Sequence, residues 1–126
     1  MKKQPDMDKI LSVECELTAY RKGLLTVRIN FESGTLIWQE SRQWCNDFVR
    51  TLSDEQVDEI RRLVQAAVSP SGKTARIDPA IQPEKILLTL DRGESKESYT
   101  SDQLDQAGWQ QLRRAIEKIS RIPFRL

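Results

Sequence analysis

Apolar and polar residues alternate from Lys9 onward. Leu11, Val13, Cys15, Leu17 and Ala19 stand against Ser12, Glu14, Glu16 and Thr18. A period of two predicts a half-buried strand. Leu25, Val27, Ile29 and Phe31 repeat the pattern against Thr26, Arg28, Asn30 and Glu32. Between these runs lies Tyr20-Arg21-Lys22-Gly23-Leu24, which suits a three-residue loop closed by a left-handed glycine. That register sets Tyr20 opposite Leu24, Ala19 opposite Leu25, Leu17 opposite Val27 and Cys15 opposite Ile29. All the apolar side chains then share one face, whereas a two-residue loop would split them between faces. Glu16 falls opposite Arg28 on the wet face. Ser33-Gly34 makes a second tight turn, pairing Phe31 with Leu36 and Ile29 with Trp38. Residues 10–41 thus read as a three-stranded meander.

The periodicity changes at Thr51, and a helix is expected to Val68. Ser53 is its N-cap and Gln56 completes a capping box. Leu52 and Val57 form a hydrophobic staple. Val57, Ile60, Val64 and Ala67 make the buried stripe, flanked by Leu63 and Val68. Ser69-Pro70-Ser71-Gly72 ends the helix. Residues 69–84 carry three prolines and no period, a length that in compact domains marks a functional or disordered loop. Ile86–Leu90 is a short strand, turned by Asp91-Arg92-Gly93 into a polar strand, Glu94–Thr100, placed at the sheet edge. Ser101 or Asp102 opens the last helix, whose Trp109, Leu112, Ile116 and Ile119 recur at helical spacing. The order is βββ-α-ββ-α. It predicts an α+β fold, an antiparallel sheet of meander and hairpin with both helices packed on one face. Residues 1–8 are expected to fray, leaving one domain over 9–126.

Composition narrows the function. A chain of 126 residues, 38% apolar and 31% charged, suits a globular domain that folds without disulfides or metal. The net charge of +1 gives no general pull toward nucleic acid or an anionic membrane, so neither is expected as a partner. No apolar run approaches the ~18 residues of a membrane helix. No apolar stretch follows the basic start, so a cytoplasmic location with reduced thiols is expected. Histidine is absent, which removes the commonest general base, the commonest transition-metal ligand and the Ser-His and Cys-His pairs.

Each motif that hints at chemistry has a plainer explanation. Ala67-Val68-Ser69-Pro70-Ser71-Gly72-Lys73-Thr74 matches a relaxed phosphate-binding loop. That chemistry needs a strand before the loop and a helix after it. Here a helix precedes it, and Ala75-Arg76-Ile77-Asp78-Pro79 cannot start another. Asp54, Glu55, Asp58 and Glu59 form an acidic cluster, as the dipole of a helix's first turns favours. No calcium-loop glycine accompanies them. Cys15 points to the core, and Cys45 has no histidine to lower its pKa. Trp44 and Phe48 cover the open end of the core or anchor a partner. The pairs Arg61-Arg62 and Arg113-Arg114 read as solvated helix faces. No catalytic residue, cofactor or metal ligand is assigned.

The run Leu52-Ser53-Asp54-Glu55, then Ile60-Arg61-Arg62-Leu63-Val64, then the Leu88-Thr89-Leu90-Asp91-Arg92-Gly93 hairpin, has a known parallel. Its layout resembles small bacterial proteins of the emfourin type and related hairpin-helix-hairpin-helix domains, over about residues 11–119. The resemblance implies that fold and, as an alternative function, inhibition or regulation of a bacterial metalloprotease of the thermolysin class. The chain departs from that pattern in its three-stranded start and in lacking an early Gly-Gly loop. The leading expectation is a non-catalytic protein-interaction module, with a small enzyme using carboxylate chemistry as a further alternative. Partner contact is expected at the 69–84 loop, at the polar edge through Lys96 and Glu97, and at the tail through Ile122, Phe124 and Leu126. The tail's apolar residues must bury against this core or against a partner. Edge and tail are also where a second copy would join.

Overall fold

The computed structural model describes residues 10–19, 23–41, 47–68 and 84–124. Its strands are β1 (Ser12–Ala19), β2 (Gly23–Asn30), β3 (Thr35–Ser41), β4 (Phe48–Thr51), β5 (Lys85–Asp91) and β6 (Lys96–Thr100). Helix α1 spans Asp54–Val68 and α2 spans Gln106–Ser120, the latter preceded by a 3-10 turn at Ser101–Gln103. The strands form one sheet in the order β4-β3-β2-β1-β5-β6. Every neighbouring pair is antiparallel. The α+β architecture is the expected one, a meander, a helix, a hairpin and a helix.

The faces are as the alternation predicts, but the registers are not. Leu17 pairs with Leu25, Cys15 with Val27 and Val13 with Ile29, two positions from the expected register. Gly23 does take a left-handed φ of 91°, but as the first residue of β2, opposite Ala19. The second turn is longer than Ser33-Gly34. The Asn30 side chain accepts the N–H groups of Glu32 and Ser33 at 2.9 Å each, and Gly34 donates to the Asn30 carbonyl. Such an Asx turn needs four loop residues, so Ile29 meets Leu36 and Val27 meets Trp38. A slip of two leaves every side chain on its expected face, because the pleat repeats every two residues.

Phe48–Thr51, where the sequence suggested a connection running into a helix from Thr51, is a fourth meander strand pairing with β3. α1 starts at Asp54, and Ser53 caps it as expected. The Gln56 N–H donates to Ser53 Oγ at 3.2 Å, and the Ser53 N–H to Gln56 Oε1 at 2.9 Å. Such a cap stabilises a helix by about 1 kcal/mol. The expected stripe of Val57, Ile60, Leu63, Val64, Ala67 and Val68 is buried. The start of α2 differs from expectation. Thr100 to Gln103 closes a separate 3-10 turn, and the true N-cap is Asp105, which accepts the Gly108 N–H at 2.8 Å.

The helices and the inner sheet face share one core. Val13, Cys15, Leu17, Leu25, Val27, Ile29, Leu36, Trp38, Ile86, Leu88 and Leu90 are buried with the stripes of both helices. The helices cross closely where Gly108 meets Ala67. A Cβ on Gly108 would lie 2.8 Å from the Ala67 Cα and 2.9 Å from the Ala66 carbonyl oxygen. The Asp105 N–H reaches the Ala67 carbonyl at 2.9 Å, tying the cap of one helix to the end of the other.

The tail also closes on this core. Arg121 takes the left-handed conformation at the end of α2, with φ 63°. The chain turns back, and the Phe124 N–H donates to Glu117 Oε2 at 2.8 Å. The Phe124 ring is fully buried between Trp38 and Trp109, with centroids 5.6 and 6.0 Å away. Ile122 is half-buried against the same cluster.

Candidate functional site

Both helices lie on one face of the sheet, and no described element covers the other. Pairing sets the composition of that open face. Ser12, Glu14, Glu16 and Thr18 of β1 stand between Thr26, Arg28 and Asn30 of β2 on one side and Leu87, Thr89 and Asp91 of β5 on the other. Lys96, Ser98 and Thr100 of β6 complete it. The cross-strand ion pair on this face joins Arg28 to Glu14 at 3.6 Å, not to Glu16 as expected, because of the register slip.

Two depressions mark the β1-β5-β6 end. One, about 330 Å³, is polar, with Glu14, Arg28, Asp91 and Lys96 on its walls. The other, about 430 Å³, is largely apolar, and Glu16, Thr18, Lys85, Leu87, Thr100 and Asp102 line it. The hydroxyls of Ser101 and Thr100 are committed to the fold. Ser101 Oγ accepts the Ile86 N–H at 2.7 Å, and the Thr100 hydroxyl donates to Asp102 at 2.6 Å. Partial burial raises the Glu16 carboxyl above its ordinary range. A hydrogen bond with Glu14 and the charge of Glu14 add to the rise, and Arg28 offsets part of it. Glu16 therefore holds its proton more tightly than a lone carboxylate does.

β6 is an outer strand of the sheet, as expected. The Arg92 N–H bonds the Ser95 carbonyl to close the turn. By antiparallel alternation Glu97 and Tyr99 bond β5, while Lys96, Ser98 and Thr100 direct their backbone groups outward. The Thr100 N–H is already taken by Gln103 Oε1 at 2.9 Å. The outward row thus comes down to Lys96 and Ser98.

The expected contact residues separate. Lys96 lies on the open face. Glu97 turns to the helix side, where its two oxygens accept from Arg92 Nε at 3.1 Å and from the Tyr99 hydroxyl at 2.9 Å. Burial, then the hydrogen bond that its hydroxyl donates to Glu97, raises the Tyr99 phenol above its ordinary value. Phe124 is corrected from a partner contact to a core residue, because both tryptophans already enclose it. Ile122 keeps part of its surface. Leu126, Trp44, Cys45 and residues 69–83 of the long loop lie outside the described residues, whereas Glu84 is buried. The phosphate-loop-like motif is described only at Ala67 and Val68, which close α1, so a helix does precede it. Asp54, Glu55, Asp58 and Glu59 are exposed on α1, with Arg61 3.9 Å from Asp58.

Cys15 is fully enclosed, and burial, then the charge of Glu14, pushes its thiol from about 9 up to about 12. Only the unfolded thiol ionises between those values, so this group favours the fold below pH 9 and withdraws that support as pH rises toward 12. In a Cys45→Ser variant, Cys15 should react with an aromatic disulfide reagent at pH 8 only as fast as the protein opens, and at once in urea. Prompt labelling of the native protein would contradict the enclosure.

Among the described residues no three carboxylate or thiol side chains converge as a metal site would require, and no helix is long and apolar enough to cross a membrane. Compared with known proteins, the chain matches no family model, and no curated protein matches its sequence.

Proposed function

We propose that this chain is a non-catalytic protein-interaction module whose contact surface is the open sheet face at the β1-β5-β6 end, together with the free edge of β6. The observation that carries the reading is a sheet face that no described element covers, with its apolar groove at Leu87 beside an outer strand that pairs on one side only among the described residues. A side chain of a partner finds an apolar floor there, and backbone groups next to it can accept an extended segment. The groove's Thr100 and Ser101 hydroxyls hold the turn, which leaves them poorly placed as nucleophiles.

The test selects phage-displayed random peptides on the immobilised protein and measures the winners against two variants. Leu87→Arg fills the groove from a half-buried position. Ser98→Pro removes an outward N–H without touching the ladder to β5, a substitution that edge strands tolerate. Each should weaken binding at least tenfold while thermal melting stays close to that of the parent. Peptides that bind both folded variants as tightly as the parent would sink the reading.

A further inference from the structure

Resting on that reading, we infer that the groove takes a lysine or arginine side chain from an extended segment of the partner, its aliphatic stem on Leu87 and its charge toward Glu16 and Asp102. The floor suits a stem of methylenes, since such side chains bury their carbons on apolar surface and keep the charged head wet. The rim is acidic by one charge, with Glu16 and Asp102 against Lys85.

The neighbourhood is also short of a cation. Glu14 and Glu16 project from the same face two residues apart, and Arg28 serves them both. It lies 3.6 Å from Glu14. Glu16 makes no ion pair among the described residues. Glu14, Glu16 and Asp102 against Arg28 and Lys85 leave one negative charge over, and with it a place for a further positive group. An acidic side chain would meet Glu16 and Asp102 as like charges. An uncharged apolar one would fill the floor but leave the Glu14-Glu16 repulsion uncompensated. A basic side chain satisfies both parts of the groove at once.

The probe is the tightest selected peptide, remade with its basic residue replaced by norleucine or by glutamate. The selection should enrich lysine or arginine at one position. Norleucine keeps the stem and removes the charge, and should bind about fivefold more weakly, the upper range for an exposed ion pair. Glutamate should bind more weakly still. Glu16→Gln, which mimics the protonated carboxyl in shape, should narrow the gap between lysine and norleucine, and 1 M NaCl should do the same to the parent. Equal affinity for lysine and norleucine peptides, with Leu87→Arg and Ser98→Pro still weakening both, would overturn the basic-side-chain assignment and leave the interaction surface standing. So would a selection without basic residues. Binding indifferent to those two variants would overturn the surface, and this assignment with it.

Discussion

Phe124→Ala should lower the unfolding free energy by about 3–5 kcal/mol, read as a fall in the urea midpoint. The ring is completely enclosed and bridges Trp38, from the sheet, to Trp109, from α2. Its removal leaves a cavity between two rigid indoles, which can collapse little, so the cost belongs at the upper end for an apolar truncation. Against a total stability of about 5–15 kcal/mol that is a large share. Pro123→Ala, one residue earlier and exposed, is the control and should shift the midpoint little. A chain cut after Ser120 would lose the same anchor and should melt early for the same reason. Loss of partner binding in that truncation would therefore report on folding before it reported on an interface. A Phe124→Ala protein as stable as the parent would contradict the docking of the tail.

Gly108→Ala should also destabilise, although helix propensity alone argues the reverse. Replacing glycine by alanine inside a helix gains about 1 kcal/mol where nothing is near. Here the added methyl would sit 2.8–2.9 Å from backbone atoms of Ala66 and Ala67. Backbone cannot swing aside as a side-chain tip can, so α1 and α2 must separate. Overpacking of that kind costs about 1–3 kcal/mol, and the same shift strains the Asp105 N–H bond to the Ala67 carbonyl. A net loss of about 1–3 kcal/mol in a denaturant melt is expected. A gain in stability would mean the helices are farther apart than described.

What the sequence discloses and what it hides follow from the period of a strand. Alternation assigns each side chain of β1 and β2 to a face, and every such assignment holds. It cannot count turn residues, so the Asx turn at Asn30 and the position of Gly23 moved both registers by two and transferred the Arg28 ion pair from Glu16 to Glu14. β4 escaped notice because four residues are too few to display a period. The start of α2 was expected at Ser101 or Asp102 because a polar run that opens a 3-10 turn looks locally like a helix cap, whereas the true cap, Asp105, follows that turn. The groove depends on β1 lying beside β5, a long-range pairing that no local pattern announces. One clue was present nonetheless. Ile86, Leu87 and Leu88 are consecutive apolar residues, so one of them had to face outward, and that residue is Leu87, on the groove floor.

The placement of β1 between β2 and β5 also has a consequence for how the chain folds. Ser12 faces Asp91 across the centre of the sheet, so the strand that opens the meander is completed only by residues that follow α1. The core cannot close until that distant segment returns, and bringing the ends of so long a loop together must come before the contacts that reward it. Chains with such pairings fold more slowly than those built from neighbouring elements, and their two halves rise and fall together. A fragment ending at Val68 would present one bare side of β1, a sticky edge rather than a half-size protein.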